Sequence, residues 1–296
     1  MKRVSIASAL FVIAAIGLRA QAPDAASVLA GVRQALGGDA AIAAVRTLSL
    51  QGMETRTMGG HSASASVEYA CVLPDQCIKV RRMPSPFGAD VVETYGFNGE
   101  THIRRRASDI PYPPDPFASE SADQKMERAR RAALGTRHEI ARVLIPIVGV
   151  PAVDPVDVAY VGQESLDGKP VDVLQVRAAD GYDARLYVDA GTRLPAMMSW
   201  MGLPDIVMSM SSTVTVRQGE TPRLPPIMPP PIAGDPTAGV AKVERRLYFS
   251  EYRTQDGLTR PRLFRETVAG NIVVESRLNT LKINPKLDPK RFDPAR

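Results

Sequence analysis

A chain of 296 residues is long enough to bury a sizeable core in one large domain or two small ones. The formal net charge is +5, but Lys2, Arg3 and Arg19 supply three of the cations within a first twenty residues that hold no acid, leaving 34 basic against 32 acidic side chains. That near-balance is no electrostatic footprint for a nucleic-acid partner.

Lys2 and Arg3 precede an uncharged apolar run from Val4 to Leu18, and the small-residue stretch Ala20-Gln21-Ala22 follows. A charged start, an apolar run and a small-residue site predict a secretory signal over residues 1–20, cleaved after Ala20 in preference to Ala22, which Pro23 follows. The apolar run is short for a membrane span, and no later segment is long and apolar enough to be one. The expected location is the periplasm, reached through the cleaved signal. An exported compartment permits disulfides. The only two cysteines, Cys71 and Cys77, flank a Pro74-Asp75 turn signal between two strand-like runs, so a hairpin-pinning disulfide is expected.

In chain order, Asp24 is the candidate N-cap of a helix whose apolar face carries Val28, Leu29, Val32 and Leu36 and which stops at Gly37-Gly38. A short second turn follows. Residues 46–106 then alternate polar and apolar side chains in five strand-like runs, with Asn98-Gly99 as a hairpin signal. A proline-rich connector over 107–118 leads to a helical segment over 119–149, predicted to break near Gly135. Its first part is polar, and its second is apolar on the side of Ile140, Val143, Leu144 and Ile147, as expected of a helix lying across the open face of a sheet. Strands resume at Val156, punctuated by Asp167-Gly168, Asp180-Gly181, Asp256-Gly257 and the weaker Gly270-Asn271. Residues 218–239 hold seven prolines and read as an insertion. The domain organisation expected is thus a signal over 1–20 and one domain over 21–296 carrying this insertion.

Motifs for catalysis are missing. His138 opens a zinc-protease-like HEIAR, but Arg142 stands where the second histidine belongs. There is no GxSxG elbow and no phosphate-cradling GxxxxGK[ST] loop. Asp167, Asp180 and Asp256 are accounted for by turns that favour a residue tolerating positive φ, not by a metal. No enzyme activity, metal or organic cofactor is expected. Basic clusters at Arg104–Arg106 and over 126–137 fit solvated faces, or contact with anionic lipid headgroups at a membrane surface.

Leu194 to Met210 contain five of the eleven methionines and the sole tryptophan. Methionine fills irregular gaps in cores and lines sites for ligands of variable shape, and both readings stand. If the stretch is two strands joined by Gly202-Leu203-Pro204, Trp200 pairs with Ile206 and Met198 with Met208. Met198, Trp200, Met208 and Met210 then share the apolar side, and Met197 and Met201 the other.

Several runs together resemble a known family: ALGGDAAIAAVRTLSLQG, YGFNGET, the stretch from YVGQESLDGKPVDVL to LYVDAGTRLPAMM, and the terminal LKINPKLDPKRFDP. They are similar to the bacterial outer-membrane lipoprotein-sorting carriers and the periplasmic regulators that share their fold. The resemblance implies a mainly β protein with helices (α+β), a strongly curved antiparallel sheet forming an unclosed barrel with helices over its concave face. It implies a cavity that takes acyl chains, hence a monomeric carrier or sensor of a lipid or lipoprotein ligand. Candidate ligand contacts are Met198, Trp200, Met208, Met210, Leu144 and Ile147. The alternative is an envelope module that binds a partner protein and whose concave face is only a packed core.

Overall fold

The computed structural model describes residues 24–84, 89–108, 119–149, 156–204 and 240–294. Asp24 caps the first helix, α1 (Ala25–Leu36), its carboxylate accepting from the Ser27 amide at 2.7 Å. The 3.6-residue period places Val28, Val32 and Leu36 on one buried face. Gly37, with φ of 133°, ends the helix, and α2 (Asp39–Ala43) follows as a short turn.

Two antiparallel meanders make up most of the chain. The first is β1 (Thr47–Met58), β2 (His61–Val72), β3 (Gln76–Met83), β4 (Val91–Asn98) and β5 (Thr101–Ala107). A long helix, α3 (Ala122–Val148), separates it from the second: β6 (Val156–Leu166), β7 (Lys169–Ala178), β8 (Asp183–Asp189), β9 (Pro195–Gly202) and β10 (Val243–Ser250). A small hairpin, β11 (Arg253–Gln255) and β12 (Leu258–Arg260), precedes β13 (Leu263–Val268) and β14 (Asn271–Ile283). The last long strand, β14, pairs with β1 and fuses the meanders into one twelve-stranded sheet, ordered β5-β4-β3-β2-β1-β14-β13-β10-β9-β8-β7-β6. The outermost strands, β5 and β6, do not pair with each other, so the curved sheet is an unclosed barrel.

Strand alternation sorts the apolar side chains onto two faces. Leu48, Leu50, Tyr69, Leu174, Leu186, Met198 and Phe264 face the concave side, where Val28, Val32 and Leu36 of α1 and Ile140, Leu144 and Ile147 of α3 complete the main core. The residues between them point outward. Ala70, Ile78 and Ile103 are covered on the convex side by Phe292 of a C-terminal 3₁₀ turn, Pro289–Phe292. Val171, Val173, Tyr187 and Met197 form a second convex cluster. Cys71 and Cys77 lie opposite each other in the β2–β3 register, with Cα atoms 4.1 Å apart, and are disulfide-bonded as expected.

Several expectations are corrected. The helix α3 runs through Gly135 without a break. A Gly in a helix interior costs only about 1 kcal/mol relative to Ala. A capping box, Ser121 with Gln124, fixes the helix start, and the apolar second half anchors its end. Asp167-Gly168 and Asp256-Gly257 form their turns as expected, with positive φ at both positions. Two other turns shift by one residue. The β4–β5 turn is Gly99-Glu100, because Asn98 stays in the ladder opposite Thr101 and donates to the Phe292 carbonyl. The β13–β14 turn is Ala269-Gly270, with Asn271 paired to Val268.

The expected register of the methionine-rich stretch also changes. Met198 lies between Leu186 of β8 and Leu247 of β10, and Trp200 pairs with Arg245. Both flanks of Met198 are therefore taken by β8 and β10, not by the stretch that follows Pro204. Ile206, Met208 and Met210 lie outside the described residues, as does the proline-rich insertion. The alternation within β9 is as expected: Met198 and Trp200 face the main core, Met197 joins the convex cluster, and Met201 is exposed.

Candidate functional site: a half-charged cavity beneath α3

The concave face changes character along β1. Leu48 and Leu50 are core residues, but Glu54, Arg56 and Met58, on the same side by alternation, are not all apolar. β3 repeats the change, with Cys77 buried in the core and Lys79 and Arg81 following on its side. Here α3 stands off the sheet and leaves a cavity of about 490 Å³, within the usual 300–1,000 Å³ range of small-molecule sites. Val143, Trp200, Leu247, Phe264 and Leu278 form its apolar lining, while Glu54, Arg56, Lys79 and Glu139 form a charged lining.

The charged residues are tightly knit. The Lys79 ammonium lies 2.8 Å from Glu54 Oε2 and 2.8 Å from Glu139 Oε1, bridging β1 and α3. Glu54 also pairs with Arg56 at 2.8 Å and with Arg81 at 2.9 Å, and Arg81 continues to Glu93. Burial alone raises a carboxylate, but Lys79 and Arg56 overcome it and hold Glu54 down at about 2. Lys79 itself is buried, and the Glu139, Tyr69 and Glu54 groups keep it charged against that burial. Burial likewise pushes the neighbouring Tyr69 phenol up to about 12. These ionised groups are compensated within the site, as low-dielectric burial demands.

Arg142 is the exception. It lies one helical turn beyond His138 on α3, with its guanidinium carbon 4.1 Å from the Trp200 ring centre and 5.9 Å from that of Tyr182. No carboxylate forms an ion pair with it among the described residues, and its Nε has no hydrogen-bond partner. Burial pushes its pKa downward. Beyond Arg142 and Trp200 opens a second, more polar cavity of about 520 Å³, where His138, Gln175, Arg185, Ser199, Lys242 and Glu244 also contribute. His138 Nε2 is 3.2 Å from Asp180 Oδ2, and burial lowers the His138 pKa despite that carboxylate.

Trp200, of the predicted ligand contacts, lines both cavities. Met198 is fully buried behind it and accepts a hydrogen bond from the Tyr182 hydroxyl at 3.1 Å. Leu144 and Ile147 are packed into the main core and line neither cavity, because the α3 face over the open space is Gly135, Glu139, Arg142 and Val143. The charged residues of the site were missed from the sequence. Their signal was a polar residue on the apolar side of a strand, at Glu54 and Lys79. Among the described residues no group of three or more His, Cys, Asp and Glu is placed to hold a metal, and no helix is long and apolar enough to cross a membrane.

Comparison with known proteins agrees with this architecture. No family model matches the sequence, and none of the curated proteins does. The fold, however, is similar to that of a LolA superfamily protein from Nitrosomonas europaea, at 10% identity and a TM-score of 0.50, over 92% of this chain and 98% of that one. A DUF1329 family protein from Desulfovibrio piger aligns over 92% and 98% of the two chains, at 12% identity and a TM-score of 0.44. A domain named for outer membrane lipoprotein sorting, from Vibrio parahaemolyticus, aligns over 86% and 93%, at 11% identity and a TM-score of 0.41. The chain thus has a LolA-like fold.

Proposed function

We propose that this LolA-like protein is a periplasmic carrier or sensor that holds the apolar chain of a lipid or lipoprotein in the cavity beneath α3, without catalysis. The observation that carries the reading is the cavity itself, roofed by one helix and floored by apolar side chains of β10, β13 and β14. A concave sheet supplies a preformed apolar surface, and a single covering helix can move without dismantling the ladder. The C-terminal half of the helix is anchored in the apolar core, whereas over residues 137–139 it is held by polar contacts: Glu139 to Lys79, His138 to Asp180, and Arg137 to the Gly99 carbonyl at 2.6 Å. Such contacts exchange with water more readily than a close-packed apolar seam. Native mass spectrometry of the purified full chain tests the reading. Copurified lipid, or stoichiometric uptake of a fatty-acyl probe, is the expected result. A protein that carries no lipid and takes up no probe overturns it.

A further inference from the structure

We infer that the bound ligand is an anionic amphiphile, its chain lying in the cavity under α3 and its carboxylate or phosphate head held by Arg142 at the threshold of the second cavity. This rests on the carrier reading and narrows the ligand class. The argument begins with charge compensation. Arg56, Lys79 and Arg81 share Glu54, Glu139 and Glu93, and Arg245 pairs with Glu266 at 2.7 Å. The lining of the first cavity is therefore paired except at Arg142, which has aromatic faces as neighbours and no ion pair among the described residues, the nearby Glu139 and Glu266 being engaged by Lys79 and Arg245.

Position supplies the second step. Arg142 and Trp200 line both cavities, so a ligand reaching from one to the other must pass them. The second cavity adds Arg185 and Lys242, neither of which forms an ion pair with a carboxylate among the described residues. Its acids are engaged elsewhere, Glu244 with Arg246 at 2.8 Å and Asp183 with Arg177 at 3.7 Å. The surplus there is cationic. A guanidinium already stacked on an indole has its fork immobilised, and it presents its free N–H edge to an oxyanion at little entropic cost. The first cavity offers the apolar lining that the chain of such a ligand needs.

Trp200 is the sole tryptophan, so its fluorescence reports on this threshold directly. The full chain is titrated with mid-chain dibrominated stearate and with the matching dibrominated stearyl alcohol, whose bromines quench indole emission. We expect both to quench Trp200, with the carboxylate half-saturating at an about tenfold lower concentration, the scale of one charge-assisted hydrogen bond. Arg142→Gln should erase that difference while keeping alcohol binding, and Arg142→Lys should retain part of it. Arg185→Gln combined with Lys242→Gln, at exposed positions, should narrow the preference with the fold intact. Acetate and inorganic phosphate alone should leave the chain's affinity unchanged. Equal binding of acid and alcohol by the unsubstituted protein overturns the inference and leaves the carrier reading standing. So does displacement of the chain by acetate or phosphate, which would mark a plain anion site. Quenching by neither amphiphile overturns both readings.

Discussion

Lys79 of β3 and Glu139 of α3 form an ion pair at 2.8 Å that ties the roof of the cavity to the charged part of its floor. The two partners differ sharply in environment. Lys79 is buried, whereas the Glu139 side chain is 49% exposed. The pair therefore contributes little to global stability, and its effect falls on how easily α3 lifts.

Glu139→Gln is expected to lower stability by less than about 1 kcal/mol, the usual range for a solvent-accessible pair. It should nevertheless quicken amide exchange across residues 133–145 and speed the uptake of a fatty-acyl probe. Unchanged exchange in this window would sink the idea that the pair restrains the roof. Glu54→Gln is the contrasting substitution. It removes a fully buried carboxylate from among Lys79, Arg56 and Arg81, so the loss should reach about 3–5 kcal/mol in urea unfolding.

Acid should act through the same carboxylate. Glu54 titrates at about 2 in the folded protein, against about 4.3 when unfolded. A folded value below the unfolded one means that its stabilisation is complete above about pH 5 and is lost as the pH falls toward 2, a change of about 3 kcal/mol. Glu139, held down by Lys79, adds in the same direction. Chemical denaturation at intervals between pH 6 and pH 2 checks this, and Glu54→Gln should flatten the curve. An equally steep acid limb in that variant would place the titration elsewhere.

Gly135 separates helix stability from site volume. A methyl group added there meets nothing within 4 Å, so Gly135→Ala should stabilise the protein by about 1 kcal/mol through helix propensity alone. Gly135→Leu should keep much of that gain while filling part of the cavity, because Gly135 is among its lining residues. Thermal melting and probe uptake should then move in opposite directions for the leucine variant. A leucine variant that binds the probe as well as the parent would show that the ligand does not pass beneath this turn.

The Cys71–Cys77 bond closes a loop of six residues in sequence separation. Replacing both cysteines with alanine should cost about 2 kcal/mol of stability on loop-closure grounds. Because the β2–β3 register continues from Val72–Gln76 to Ser66–Arg82 without it, the sheet should persist. Circular dichroism of the double variant, followed through urea unfolding, measures both.

Much of the fold was legible because its determinants are local. Asp24 announces α1 three residues before the amide it caps, and Val28, Val32 and Leu36 carry the helical period. The cysteine pair and the Asp-Gly turns are equally short-range signals. The alternation of Met197 and Met198 across β9 was also readable, but the partner strand was not. β9 joins β10 across residues 203–242, and sequence proximity wrongly favoured the stretch immediately after Pro204. The candidate site was the least legible part. Glu54 and Lys79 resemble ordinary solvent-facing charges until α3 brings Glu139 over them, and that covering is a tertiary event between segments 60 or more residues apart. Arg142 attracted notice only as a missing histidine ligand. Its aromatic neighbours, Tyr182 and Trp200, come from the other meander.

The pairing of β1 with β14 also bears on how the chain can be made. Asn284 accepts a hydrogen bond from the Arg46 amide across 238 residues of sequence, so β1 keeps an open edge throughout synthesis until the final strand arrives. Such an edge is a template for unwanted pairing with another chain, and long-range closure of this kind is slow. A chain arrested before residue 271 would leave that edge bare and would also lack Phe292, leaving Ile78 and Ile103 uncovered on the outer face. Synthesis of β14 and protection of β1 are therefore the same event.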